Sequence, residues 1–382
     1  MSITELTRNA AHVLPEGALE KKLAEGRPLR VKFGIDVTAP DVTLGNGIPL
    51  QRMAAFQREG HTGVLIVGDY TTRIGDPSGR SATRPILSDD EIDRNAKRFV
   101  DQASTIIDPD RTEVRFNGEW LAKLDFAQIL RLTRIATVAR ILERDDFAKR
   151  FGTGSPISVS ELLYPLMQAY DSVAVEADVE LGGTDQLYNL LMGREVMEAY
   201  GVNPQVALTV EYLDSWDGLG MSASRGNYIG LKEAPEEQFG KAMSIPDSLL
   251  EQWYRLVMEA PPPEGDPLEA KLELARFIVA RSHGEDAAGA AEQHFTRVVR
   301  EGRPPDEGEI PKVELPDGDP VHLPAVLEQA FGITRGEARR LIGQRGVRVD
   351  GEVVTELDLP RQTLEDALVQ AGKRRYSRLT GP

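Results

Sequence analysis

Cysteine is absent from this 382-residue chain. That excludes a disulfide framework, a zinc-thiolate centre and a thiol nucleophile, and it fits a reducing compartment. Positive charge is also scarce: 45 Lys and Arg stand against 61 Asp and Glu, a formal net charge of −16. That argues against diffuse nucleic-acid binding driven by overall charge, and any RNA contact has to use local basic patches. Long apolar runs are missing too. Residues 1–15 carry Glu5, Arg8 and His12 among scattered apolar side chains, unlike a secretory signal, and no run approaches membrane-spanning length. A soluble cytoplasmic protein with no membrane partner is expected. The length exceeds one compact domain, so two or three domains are expected.

What is present is an alternation of strand and helix signals. Residues 30–36 form a short apolar run, residues 46–59 have helix length and close at Gly60, and residues 62–69 (TGVLIVGD) read as a buried strand. A second strand, loop and helix unit covers residues 173–200. This α/β alternation implies a parallel sheet, which places its ligand site in the loops at the carboxyl ends of the strands. The mostly helical stretch 119–151 reads as an insertion serving packing or subunit contact. Helices without strands follow residue 235. Residues 301–312 (EGRPPDEGEIPK) have linker composition, and residues 313–382 are locally basic. The expected layout is a catalytic domain over 1–235, a helical domain over 236–300, a linker and a small C-terminal domain over 313–382.

Four segments carry candidate chemistry. In residues 34–50 (GIDVTAPDVTLGNGIPL), Asp36 and Thr38 follow a strand end, and Gly45 with Asn46 opens a helix whose free amides can face an anion; an ordinary strand-to-helix turn is the alternative. Residues 74–81 (IGDPSGRS) lack the Gly-Lys-Ser/Thr ending of a Walker loop. A carboxylate between glycine and proline, Asp76, suits an ammonium group, unless the segment is a plain turn. Ser158 and Glu161 form a possible capping box for a helix that places Tyr164, Gln168 and Asp171 at i, i+4 and i+7. That puts three hydrogen-bonding groups on one stripe among Leu162, Leu163, Leu166 and Met167, the lining of a pocket or a solvated face. Residues 180–186 (ELGGTDQ) place Gly183, Asp185 and Gln186 at a strand end, suited to a ribose or an ammonium group.

The order and spacing of these segments resemble one family, the tyrosine tRNA ligases of bacteria, over nearly the whole chain. FGIDVTAPDVTLG, GDYTTRIGDPSGRS, LLYPLMQAYDSVAVEADVELGGTDQLYN and MSASRGNYIGL carry the resemblance. It implies a class I Rossmann-like core binding ATP and tyrosine, a helical anticodon-binding domain and a ribosomal protein S-four-like RNA-binding domain. By that resemblance Asp76, Tyr164, Gln168 and Gln186 hold the amino acid's ammonium and backbone groups, and Asp171 meets the phenol hydroxyl. Asp36 and Asp185 hold amino-acid or ribose groups, Gly34 and Gly45 permit close approach, and Thr38, Gly183 and Met221 complete the substrate and ATP contacts. Lys32 stands where many relatives carry a tyrosine beside the phenol. ATP is the implied substrate, with Mg2+, and no protein-held metal is expected. tRNA(Tyr) is the implied partner, with no DNA.

The resemblance breaks at the two ATP signatures. Where the family has His-x-Gly-His this chain has Thr43, Leu44, Gly45 and Asn46; where it has Lys-Met-Ser-Lys-Ser this chain has Gly220, Met221, Ser222, Ala223 and Ser224. Both histidines and both lysines are gone. Thr43 and Asn46 retain donors, and Arg225, with Arg80 or Lys232, is expected to take over the pyrophosphate contacts. A synthetase-like protein acting only as an RNA-binding or regulatory module, or one that acylates a different acceptor, are the rival readings. In the tail, Arg335, Arg339, Arg340 and Arg345, with Lys373, Arg374 and Arg375, are expected to track RNA phosphates. Ile135, Val138, Ile141, Leu142 and Phe147 of the insertion resemble the family's dimer surface.

Overall fold

The computed structural model describes residues 3–77, 87–305, 307–308, 310–372 and 375–381, and of Ser224 the backbone alone. The chain divides into two compact units, residues 1–234 with 241–274 and residues 235–240 with 275–382.

The first unit is built on a six-stranded sheet: β1 (Ala10–Leu14), β2 (Arg30–Ile35), β3 (Thr62–Val67), β4 (Thr112–Phe116), β5 (Val179–Gly183) and β6 (Val206–Val210). The spatial order is β1-β6-β5-β2-β3-β4. All pairings are parallel except β1 on β6. Nearly every residue of β3, β5 and β6 is buried, as the continuous apolar runs require of strands covered on both faces. The chain runs from β2 outward to β3 and β4, then returns to lay β5 and β6 on the other side of β2. Connections therefore leave β2 and β5 in opposite directions, and the crevice at their carboxyl ends is the topological switch point. The expected α/β class and its parallel sheet are observed.

Four helices frame that crevice: α1 (Leu44–Arg58), α2 (Asp89–Ala103), α3 (Val159–Ala174) and α4 (Leu187–Ala199). Helix α1 starts two residues earlier than its glycine and polar signals suggested, because Thr43 caps it. The Thr43 hydroxyl accepts from the Asn46 amide N–H, and the Asn46 carbonyl accepts back from Thr43. Helix α3 begins on the expected Ser158 and Glu161 capping box.

Beneath the crevice lies a buried ion pair that corrects one expectation. Lys32, on β2, has no exposed surface. Its ammonium donates to Glu180 on β5 at 2.8 Å, to the Ser172 hydroxyl at 2.8 Å and to the Gln168 carbonyl at 3.0 Å. All three donors are used, so Lys32 is not a substrate contact. The reason is depth. Strand side chains alternate, so Lys32 shares its face with Gly34 but sits one pair further from the carboxyl end where ligands bind. Replacing Lys32 by methionine strands the Glu180 carboxylate, a loss of about 3 kcal/mol. Denaturant unfolding is expected to show it, with most of the loss recovered in the double variant Lys32→Met, Glu180→Gln.

The insertion also departs from expectation in detail. Ile141 and Phe147 are buried, at 4% and 0% exposure, because they turn inward as core, so neither belongs to a subunit surface. The exposed apolar side chains there are Phe126, Leu130, Val138 and Phe151, with Val159 just beyond.

The second unit contains the helix Glu285–Phe295 and a small α+β module. In the module, strands Glu352–Val353, Val347–Val349, Leu368–Ala371, Arg375–Thr380 and Lys312–Glu314 lie in that spatial order. Helices Leu323–Phe331 and Arg335–Gly343 pack on a core that includes Val326, Leu327, Ala338, Ile342 and Leu379. Ile310, in the stretch of linker composition, packs with Val298 and Tyr376.

Candidate active site

A cavity of about 780 Å³ opens at the switch point, lined from β2, β3, β5, β6, α1, α3 and the loops that follow them. One wall is made by the polar stripe of α3. Tyr164, Gln168 and Asp171 all line it, as do Asp76 and Gln186 from the loops after β3 and β5. The stripe therefore faces a pocket.

Asp171 is 3% exposed at the deep end. Its Oδ1 accepts from the Trp120 indole at 2.8 Å and its Oδ2 from the Asn117 amide at 3.3 Å. Burial lifts its carboxyl to about 7, against the opposing pull of Lys32 and of the Trp120 and Asn117 donors. An acceptor of this kind, short of donors and shut from water, suits a hydroxyl.

Tyr164 donates from its hydroxyl to Asp36 Oδ2 at 2.9 Å, and burial together with Asp36 and Asp76 pushes its phenol upward. Asp36 also accepts from the Thr71 hydroxyl at 2.7 Å and from the Asp76 backbone N–H at 3.0 Å. Its oxygens hold Tyr164 and the loop after β3 in place, so Asp36 orders the site. Gln186 donates to Asp76 Oδ2 at 2.7 Å and to Asp185 Oδ2 at 2.9 Å. Asp185 Oδ1 is buried beside Tyr212, and burial pushes that carboxyl upward against the pull of the Tyr212 hydroxyl.

Gly34, Thr38, Gly45, Gly183, Met221 and Ser222 line the same cavity. A Cβ built on Gly45 would sit 3.5 Å from the Thr43 hydroxyl and 3.6 Å from Met221, room the protein leaves to the cavity. The Thr43 hydroxyl hydrogen is committed to the Asn46 carbonyl at 2.8 Å, so the donor remaining in that motif is the Asn46 NH2 group.

Six carboxylates line the cavity: Asp36, Asp41, Asp76, Asp171, Asp185 and Glu211. Among the described lining residues the one Lys or Arg is Arg225. It is exposed, and its guanidinium donates to the Gly220 carbonyl at 3.2 Å. The loop before it is pinned by Asn227, which donates to both Asp217 oxygens at 3.0 Å and accepts from the Ser222 N–H at 3.0 Å. Lys232 is exposed and does not line the cavity, so the structure does not bring it to Arg225's side of the site. Arg80, Lys373, Arg374 and the side chain of Ser224 lie outside the described residues. In the small module, Arg335, Arg339, Arg340, Arg345 and Arg375 are all exposed.

Sequence reasoning missed Trp120, Asn117 and Tyr212. Trp120 and Asn117 reach Asp171 across roughly fifty residues of chain, a proximity that no local pattern encodes. Tyr212 lies beside Asp185 on the far wall. Asn189 was overlooked although it stands one helical turn after Gln186, a spacing that marks a shared face.

The chain is similar to known proteins over most of its length. The family model described as tRNA synthetases class I (W and Y) matches residues 24–300, and the S4 domain model matches residues 323–359. The chain is 47% identical to the tyrosine–tRNA ligase of Moorella thermoacetica, over 98% of this chain and 94% of that one. It is 44% identical to that of Thermotoga maritima, over 98% and 96%. Among solved structures, a C-terminally truncated Aspergillus nidulans mitochondrial tyrosyl-tRNA synthetase superposes with a TM-score of 0.63 at 23% identity, covering 76% of this chain and 91% of that one. The Archaeoglobus fulgidus tyrosyl-tRNA synthetase complexed with L-tyrosine gives 0.61 at 21% identity, over 76% and 98%.

Proposed function

The chain belongs to the class I tRNA synthetases of the tryptophan and tyrosine group, and from that premise we propose how its pocket attaches tyrosine to tRNA at the expense of ATP. The observation that carries the reading is the α3 stripe: a pocket with a hydrogen-bonding rim at Tyr164, Gln168, Asp76 and Gln186, closed at its deep end by the Asp171 carboxylate. An ammonium-binding set at one end and a buried hydroxyl acceptor at the other suit an α-amino acid whose side chain ends in a hydroxyl.

Asp76 faces the ammonium, with the Tyr164 hydroxyl offering its lone pairs, and Gln168 and Gln186 orient the amino-acid backbone. The substrate carboxylate then attacks the α-phosphate of ATP, pyrophosphate leaves, and the adenylate passes its acyl group to the terminal ribose of tRNA with release of AMP. No nucleophilic side chain is needed, so the protein's part is alignment and stabilisation of charge on the phosphates. ATP enters as its magnesium complex. The Asp185 carboxyl, lining the cavity, suits a ribose hydroxyl, and the start of α1 with Gly45 and the Asn46 NH2 group suits the phosphates. Arg225 supplies the cation that the absent lysines would have supplied.

The exposed arginines of the small module suit tRNA phosphates. The exposed apolar set Phe126, Val138, Phe151 and Val159 supports a homodimer formed through the insertion. The decisive experiment is charging of total tRNA by the purified protein with labelled tyrosine and phenylalanine, alongside tyrosine-dependent pyrophosphate exchange. Tyrosylation with exchange is expected. Exchange without tRNA charging would favour another acceptor, and absence of both would favour a binding protein.

A further inference from the structure

Gln168 and Gln186 reach the pocket from different elements, yet a single buried side chain holds both. Asn189, on α4, has no exposed surface. Its NH2 group donates to the Gln168 carbonyl at 3.0 Å and to the Gln186 carbonyl at 3.0 Å, one hydrogen to each. The Asn189 carbonyl in turn accepts from Arg144 Nη1 at 3.1 Å. Arg144 is itself buried, forked onto Asp146 at 2.6 and 2.7 Å, and set over the Phe147 ring.

An amide side chain turned by half a turn keeps its shape while exchanging an acceptor for donors, so its neighbours decide what it offers a ligand. Here the chain of choices is closed at both ends by groups that cannot switch. Arg144 can only donate, so Asn189 must turn its oxygen toward it. The Asn189 nitrogen then faces both glutamines, which must turn their oxygens inward. Their nitrogens are left to the carboxylates: Gln168 donates to Glu180 at 3.1 Å, and Gln186 to Asp76 and Asp185. Glu180 is held by Lys32 and by the Gln205 amide. Each orientation follows from the one before it.

We propose that Asn189, fixed by Arg144, is a positioning residue for the amino acid: it sets both pocket glutamines in the orientation that receives tyrosine. Because Arg144 lies between the insertion's short helices Val138–Ile141 and Asp145–Gly152, amino-acid affinity is tied to the conformation of that insertion. The proposal rests on the reading that Gln168 and Gln186 touch the amino acid.

The test uses the full chain and equilibrium dialysis of labelled tyrosine. Asn189→Asp keeps the shape and removes both donors; tyrosine Kd is expected to rise about tenfold or more, the equivalent of one to two hydrogen bonds. The KM for ATP in pyrophosphate exchange is expected to stay within about twofold. Arg144→Met, which leaves Asn189 in place and removes the group that fixes it, is expected to shift tyrosine Kd in the same direction without that ATP effect. Placed on a Gln168→Ala, Gln186→Ala background, Asn189→Asp is expected to have no further effect, because its targets are gone. An unchanged Kd in both Asn189→Asp and Arg144→Met overturns the proposal, as does a full tenfold loss on the glutamine-free background, which would mark a general structural lesion. If the glutamine double variant binds tyrosine like the parent protein, the underlying pocket reading fails instead.

Discussion

Replacing Asp171 by asparagine is expected to collapse the preference for tyrosine over phenylalanine by roughly a hundredfold to a thousandfold in kcat/KM. Asp171 lies at the pocket's deep end, where both of its oxygens already accept from Trp120 and Asn117. A phenol hydroxyl adds a third hydrogen bond to this carboxylate, whereas phenylalanine seals it from water and gives it nothing. Leaving a buried charged acceptor short of a partner costs about 3 kcal/mol or more. Asparagine is uncharged and has one acceptor oxygen in place of two, so the cost of burying it beneath phenylalanine is far smaller and the variant distinguishes the two ligands far less. Phenylalanine is expected to hold or gain as tyrosine loses. A preserved ratio would remove Asp171 as the phenol contact.

The same carboxyl predicts a pH effect of definite sign. Burial raises its midpoint to about 7, so the ionised form that best accepts a phenol proton prevails above that value and is lost as pH falls below it. Tyrosine preference over phenylalanine is therefore expected to be flat from pH 8 down to about 7. Below that it declines, by up to about tenfold per pH unit, as one proton is taken up. Competition of the two amino acids in pyrophosphate exchange at constant ionic strength measures it directly.

Arg225→Ala is expected to slow tyrosine-dependent pyrophosphate exchange by about a hundredfold to a thousandfold, with tyrosine binding in the absence of ATP unchanged. Six carboxylates line the cavity, and Arg225 is the one described cation among them. A triphosphate entering that field needs positive charge most as pyrophosphate departs, and loss of one preorganised donor of this kind costs about 3–4 kcal/mol. Arg225→Lys is expected to recover part of the rate, because the charge returns without the fork. The guanidinium's tether to the Gly220 carbonyl and the Asn227 clasp hold the loop in register. An unchanged rate in Arg225→Ala would transfer the phosphate contacts to other groups.

Much of this site was legible in the chain. The capping box at Ser158 and Glu161 fixed where α3 begins, and the i, i+4, i+7 spacing put Tyr164, Gln168 and Asp171 on one line. That those three face a cavity follows from the sheet, because α3 is tied to β2 and β5 through Lys32, Ser172, Gln168 and Glu180, where the connections diverge. Lys32 was misplaced because alternation along a strand tells which face a residue takes and says nothing of its depth below the strand's end. Ile141 and Phe147 were misplaced for a related reason: in a short irregular helix, apolar residues suit a core as well as a partner.

What the sequence determined by itself was local and periodic: strand runs, helix caps, the spacing of polar groups on one helical face, and the loss of both lysines and both histidines from the phosphate motifs. These are set by backbone geometry and by residue identity, which neighbours in sequence suffice to fix. The tertiary structure alone decided the rest. It brought Trp120 and Asn117 to Asp171, buried Lys32 against Glu180, and closed the amide relay from Arg144 through Asn189 to two glutamines. Hydrogen-bond direction and charge compensation depend on atoms that meet only when distant segments share one dry interior, and there burial makes each unpaired group costly enough to select a single arrangement.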